Sequence, residues 1–345
     1  MNQRLRDGVR TLPPGSFAFV MATGIVSTAF QAVGWTVPSV ILLVTAIGGL
    51  LLLAIATGWR LAAHPRAMMA DAVNPAKAFG YFTIVAGINV VGVRLFTPEA
   101  PLATIIFAII SVPFWLLLTY GVPAALMLRS SDKSAASEVN GGWFLWVVGT
   151  QSLATAAAAI APISGNQALA AIAVALWGIG VMLYIILATL VTLRLLTVRS
   201  EPATLGASYW IYMGATAITV LAGSRILVLS ADLPIMAATS GIVSGLTFVL
   251  WAFGVWWVPL LIIFGIWRHA VRRVPLRYES ELWSIVFPLG MYSVASIHFG
   301  VETGLPLVVT MGEVGAWIAG AAWLAVAGAM VVSLRRSFHP VDRPM

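Results

Sequence analysis

Polar residues in this chain are gathered into short clusters, separated by long apolar blocks such as "ILLVTAIGGLLLLAIA" at 41–56. A half-buried strand would alternate every second position, and a soluble amphipathic helix would show a stripe at three- and four-residue spacing. These blocks do neither. They are apolar all round and are bounded by charges, Pro and Gly, as helices lying in lipid are. A crossing takes about 20 mostly apolar residues. Ten blocks qualify, near 14–34, 38–59, 79–96, 102–128, 143–161, 166–194, 208–230, 241–267, 282–300 and 314–334. The pattern predicts an all-α membrane protein, with residues 1–345 forming one integral membrane domain.

The charges orient the spans. With ten crossings both termini share a side with the segments around 60–78, 129–142, 195–207 and 268–281, and that side holds every Lys and Arg except Arg94 and Arg225. The other side carries Glu99, Asp232, Glu302 and Glu313. Such a bias predicts cytoplasmic N- and C-termini in a plasma (inner) membrane. It also explains a net charge of +7 without nucleic acid, so the bilayer is the expected macroscopic partner. Only 9% of residues are charged and 60% are hydrophobic, whereas soluble chains carry roughly 25% charged residues. With nearly the whole chain used in crossings and no phosphate-binding loop, no enzymatic domain is expected. Cysteine is absent and the four histidines (His64, His269, His298, His339) lack metal-ligand spacing, so no cofactor or metal is expected. The basic residues before the first span resemble a signal peptide, but Pro13 and Pro14 suit the first turn of a retained helix.

Alternate spans resemble one another. The odd-numbered ones open on "FAFVMATG", "FGYFTIVAG", "WFLWVVG", "YWIYMG" and "WSIVFPLG". In four of them an aromatic stands five residues before a glycine: Phe19/Gly24, Phe82/Gly87, Phe144/Gly149 and Tyr209/Gly214. In the fifth, Ile285 takes the aromatic's place before Gly290. Interfacial aromatics and helix-packing glycines account for each motif singly. The recurrence on alternate spans, at intervals of about 60–75 residues, points instead to five helical hairpins. Patterned odd helices would lie inside and aliphatic even helices outside, with the inner faces meeting around a central pore.

The ninth span carries "VFPLGMYSVASIHFG" (286–300), with a proline, small residues and a titratable ring where an anchor would carry aliphatics. Phe287 and His298 are eleven residues apart, about 1100° of helical rotation, and so lie on one face, with Met291 and Val294 between them. Pro288 removes a backbone donor within the span. These residues and Gly290, with the aromatic and glycine pairs Phe19/Gly24, Phe82/Gly87, Phe144/Gly149 and Tyr209/Gly214, are pore-lining candidates. Arg94 and Arg225 lie near the outer ends of the third and seventh spans. Two readings are open for them: snorkelling or ion pairs with the outer acids, or an electropositive vestibule that concentrates anions. Gln151 offers an uncharged donor to the lumen, although polar side chains also join helices. No carboxylate falls within the middle of a span, which argues against an acidic cation filter.

"PPGSFAFVMATGIVS" at the first span and "WSIVFPLGMYSVAS" at the ninth resemble the tellurite-resistance/C4-dicarboxylate transporter family. That family includes bacterial tellurite-resistance permeases, plant slow anion channels, and the fungal malate permease and sulfite pump. The resemblance implies a homotrimer of ten-helix protomers, each with its own pore lined by the five odd helices. It also implies that the phenylalanine of "FPL", here Phe287, occludes that pore. The implied function is movement of small anions, with C4-dicarboxylates such as malate, sulfite, chloride and nitrate as candidates. Channel and proton-coupled carrier both remain open. A different solute class is the alternative. An intramembrane hydrolase would need a Ser/His pair that no helix face supplies.

Overall fold

The computed structural model describes residues 3–128, 138–198, 201–202 and 204–338. Twelve α-helices are present among them. Ten form five inner–outer pairs: α2 (Ala18–Ala32) with α3 (Thr36–Ala63), α5 (Phe82–Arg94) with α6 (Leu102–Leu128), α7 (Leu145–Ser164) with α8 (Gln167–Thr197), α9 (Ile211–Leu227) with α10 (Pro234–Ile266), and α11 (Trp283–Thr303) with α12 (Pro306–Phe338). Two short helices, α1 (Gln3–Arg10) and α4 (Pro65–Ala72), were not anticipated from the apolar pattern because neither is apolar enough to stand out. Among the described residues nine helical segments are long and apolar enough to cross a membrane, and the tenth, Ala78–Arg94, is a shorter apolar helix.

The inner helices close a ring in the order α2, α5, α7, α9, α11 and back to α2, and each outer helix packs on the inner helix before it. Burial follows this division. The most apolar window of the α7 span is 94% buried inside the protein, against 17% for α3, although α3 is the more hydrophobic of the two. Outer helices are therefore apolar for lipid, while inner helices trade aliphatic bulk for Ala, Gly, Ser and Thr so that five of them can crowd together.

Each inner helix begins with a single 3₁₀ turn: Pro14–Phe17, Ala78–Tyr81, Gly141–Phe144, Ala207–Trp210 and Ser280–Leu282. These five turns also touch in a closed ring, at the basic end of the bundle. The Phe144 side chain stands at the end of its turn against Tyr212, ring centroids 4.5 Å apart. Tyr209 accepts a hydrogen bond from Arg194. Phe144 and Tyr209, pore-lining candidates in the sequence, are thus wedges that seat one repeat against the next.

Indole donors join the repeats at greater depth. Trp115 of α6 donates to Thr150 of α7, Trp177 of α8 to the Thr219 carbonyl of α9, Trp251 of α10 to Ser296 of α11, and Trp323 of α12 to Thr23 of α2. In each case an outer helix is tied to the inner helix of the following repeat. At the remaining seam Arg94 of α5 does this work. It donates to Ser27 of α2 at 3.0 Å and to Ser39 of α3 at 2.8 Å.

Candidate functional site

Two cavities lie within the ring of inner helices. The first, of about 370 Å³, opens at the basic end and is lined by the 3₁₀ turns and by Ala18, Thr83, Leu145, Ile211 and Ser284. The second, of about 20 Å³, lies farther from the basic end and is lined by Ile25, Val90, Ser152, Ile218 and Met291, with further residues from the same five helices; the first is the inner chamber and the second the outer chamber. On every inner helix a residue lining the first cavity stands seven residues before one lining the second: 18 and 25, 83 and 90, 145 and 152, 211 and 218, 284 and 291. Seven residues turn through about 700°, close to two full turns, and rise about 10.5 Å. One face of each helix therefore lines both chambers, and the chambers are stacked along the axis of the ring.

The residues three and four positions after each inner-chamber residue occupy the layer between the chambers. They are Met21 and Ala22, Ala86 and Gly87, Val148 and Gly149, Gly214 and Ala215, and Phe287 and Pro288, all of them buried. Only Met21 and Phe287 extend a long side chain here, and each is 1% exposed. The Phe287 ring reaches α9, since a Cβ built on Gly214 would stand 3.4 Å from its Cε1. Helix α11 continues through Pro288, whose ring sits against Gly214. The missing N–H of Pro288 leaves the Ser284 carbonyl without its helical donor, and Ser284 borders the inner chamber.

Of the residues singled out from the sequence, Met291, Val294 and Arg225 line the outer chamber. His298 is half-buried on α11, fourteen residues beyond Ser284, as Arg225 is fourteen beyond Ile211 on α9. The two occupy equivalent levels on neighbouring helices. Arg225 has a buried Nε without a hydrogen-bond partner, and no acid pairs with it among the described residues. Arg94 is instead held by its two serines.

The motif glycines lie elsewhere than on an open lumen. An added Cβ would meet Val90 at Gly24, Val20 at Gly87, Phe82 at Gly149, Pro288 at Gly214 and Ile25 at Gly290. Each of these neighbours belongs to the adjacent inner helix, so the glycines bring inner helices together. Phe19 packs on Gly49 of α3 and edge-on to Trp283, and Phe82 lies between α5 and α7. Gln151, expected to offer a donor to the lumen, turns outward and donates to the Trp177 carbonyl of α8.

The lining residues not anticipated from the sequence include Thr28, Asn89, Ser152 and Thr155 of the outer chamber and Thr83 of the inner one, whereas Ser284 stands on the margin of the Phe287 face. Asn89 donates to Ser152 and accepts from Ser111. No common sequence signal marks them: the positions seven residues apart carry Ile25, Val90, Leu145, Ile211, Ile218 and Met291 as well as hydroxyl residues, and Thr28, Asn89 and Thr155 fall off that register. Among the described residues no group of His, Asp and Glu is arranged to hold a metal ion.

Residues 11–331 match the family described as voltage-dependent anion channel. An uncharacterized membrane protein of Mycobacterium tuberculosis is 50% identical over 149 residues, covering 43% of this chain and 75% of its own length. An uncharacterized transporter of Methanocaldococcus jannaschii is 24% identical over 259 residues, covering 69% of this chain and 70% of its own. A second transporter of that organism is 28% identical over 171 residues, 49% of this chain and 47% of its own.

Proposed function

Because the chain belongs to the voltage-dependent anion channel family, we propose that it moves small anions through the ring of its five inner helices, with Phe287 closing the path. The observation that carries this reading is the stacking of the two chambers on one set of helix faces, interrupted only by the buried layer that holds Phe287 and Met21. A path used by solute needs a chamber toward each end and an obstruction that can move aside, and the two chambers with the layer between them support that reading. The sign of the solute is supported by Arg225, a cation on the outer chamber wall with an unpartnered Nε, and by Asn89, whose amide has an N–H beyond the one given to Ser152. An amide donor can replace part of an anion's water shell without binding it too tightly to leave.

In this proposal the basic end of the bundle faces the cytoplasm, so that the larger vestibule is the cytoplasmic one. Each protomer has its own path, and protomers assemble as a homotrimer in the inner membrane. The substrates are small inorganic or organic anions, with chloride, nitrate, sulfite and malate as the set to test. Purified protein in liposomes, assayed by replacing anions and cations in turn, tests the reading. Flux should follow the anion and be indifferent to the cation. Flux that follows the cation would contradict it.

A further inference from the structure

A third cavity, of about 330 Å³, lies outside the ring of inner helices, at the basic end between α10 and the starts of α9 and α11. Its wall toward the membrane is apolar, built from Leu261, Ile262, Phe264 and Ile266 of α10 with Trp210 and Ile285 opposite. Ile262 and Ile266 are 48% and 56% exposed, so this wall continues onto the lipid-facing side of α10. Its other end is charged. Arg268, His269 and Arg277 line it, together with Glu279 and Glu281.

The chain beyond α10 is folded to hold these groups in place. A wide π-helical turn at Trp267–Val271 follows α10, and Arg273 then adopts the left-handed conformation at φ 55°. The reversal is fixed by hydrogen bonds from the Arg272 and Val274 amides to the Trp267 and Arg268 carbonyls, and the His269 Nδ1 lies 2.8 Å from the Val274 carbonyl. Arg272 stacks on Trp267 at 5.1 Å. Pro275, Leu276 and Arg277 are thereby brought over the groove. Arg268 donates one hydrogen bond, to the Leu205 carbonyl, and its buried Nε has no partner. A wholly structural arginine in a protein-lined site would have that donor satisfied.

We propose that this groove is a binding site for an anionic phospholipid, with the phosphodiester held by Arg268 and Arg277 and an acyl chain laid along the α10 wall. In the lining itself Glu279 and Glu281 match Arg268 and Arg277 in number, and the positive surplus comes from Arg272 and Arg273 beside it. Arg268, Arg272, Arg273 and Arg277 crowd the same ten-residue stretch, so the segment from 267 to 281 keeps a surplus of positive charge. A basic pocket between membrane helices with an apolar flank open to lipid fits a headgroup and its tail together. A free phosphate would use the arginines but leave the apolar wall unoccupied. The site adjoins the vestibule of the proposed anion path, since Glu279 and Glu281 border both cavities, but Arg268, Arg277 and the α10 wall line this one alone.

The test uses the full chain purified in a neutral detergent and native mass spectrometry with phosphatidylglycerol, phosphatidylcholine of the same acyl chains, and inorganic phosphate. Phosphatidylglycerol should be retained in preference to phosphatidylcholine, and excess inorganic phosphate should not displace it. Arg268→Gln and Arg277→Gln should each weaken phosphatidylglycerol binding by about fivefold and leave phosphatidylcholine unchanged. Arg277 is exposed and has no structural bond to lose, so it carries the test if Arg268→Gln fails to fold. Arg335→Gln, an exposed arginine at the end of α12, should change nothing. Equal retention of the two lipids, full displacement by phosphate, an unaffected Arg277→Gln protein or an equal loss in Arg335→Gln would each overturn the assignment.

Discussion

Arg94 and Arg225 look alike in the sequence, each an isolated cation near the outer end of an inner helix, but their guanidinium groups have different surroundings. Arg94 donates to Ser27 and Ser39 and so joins α5, α2 and α3 where the other four seams use an indole. Arg225 lines the outer chamber with a donor unsatisfied. Arg94→Gln should therefore lower thermal stability while leaving flux per folded molecule near the parent value. Arg225→Gln should fold normally and conduct less, with the deficit larger at low than at high ionic strength, because salt screens the field of an exposed path. Flux assays on proteoliposomes matched for protein content, run at two salt concentrations, separate the two. The sequence showed both arginines as exceptions to the charge bias but could not assign their roles. Serine partners 67 and 55 residues away leave no periodic trace. The same holds for Gln151, whose partner is a carbonyl on α8.

At the scale of elements, the repeating unit is a 3₁₀ turn, an inner helix and an outer helix, tied forward to the next unit. The hairpins and their inside–outside order were legible in the sequence because lipid selects bulk aliphatics and a crowded interior selects small residues. The register within each inner helix was less so. The motif glycines stand six, four, four, three and six residues after the first lumen-lining position of their helices. They therefore mark helix contacts, which vary in depth, and no common level of the lumen. The short helices α1 and α4 escaped notice for a related reason, since they are fixed by one buried side chain. Arg60, 3% exposed at the end of α3, donates to the Arg10 carbonyl of α1, to Tyr81 and to Asp71 of α4, and Lys77 also reaches Asp71.

Burial alone would raise the Asp71 carboxyl, but the hydrogen bonds and charges of Arg60 and Lys77 outweigh it and hold it below the ordinary value. A carboxyl with a depressed folded value stabilises the protein above the unfolded value, about 3.9, and loses that contribution as pH falls through the folded one. The wild-type protein should lose thermal stability below about pH 4 from this source. Asp71→Asn should be less stable at neutral pH and show a shallower acid dependence. Parallel unfolding curves at pH 7 and pH 3.5 for the two proteins would contradict the role given to the clamp.

The whole molecule is a ring of five helices with a vestibule at one end, a small chamber toward the other and a buried layer between. Ten crossings, the paired hairpins and membership of an anion-transporting family were all reachable from composition, charge bias and two short motifs. What needed the structure was the alignment of the two chambers at seven-residue spacing, which brings Met21 to the same layer as Phe287. That layer consists of two long side chains among residues no larger than valine or proline. Truncating Phe287 would then unite the two chambers. If the ring were only core packing, the same change would leave a cavity and cost about 3–5 kcal/mol, with less folded protein and less transport. The deciding measurement is anion flux per molecule in liposomes containing Phe287→Ala or the parent protein at equal density. A gate at this layer predicts several-fold higher flux in the variant with anion selectivity retained. A folded Phe287→Ala protein whose flux equals or falls below the parent's would contradict the assignment of this layer as the closure of the path.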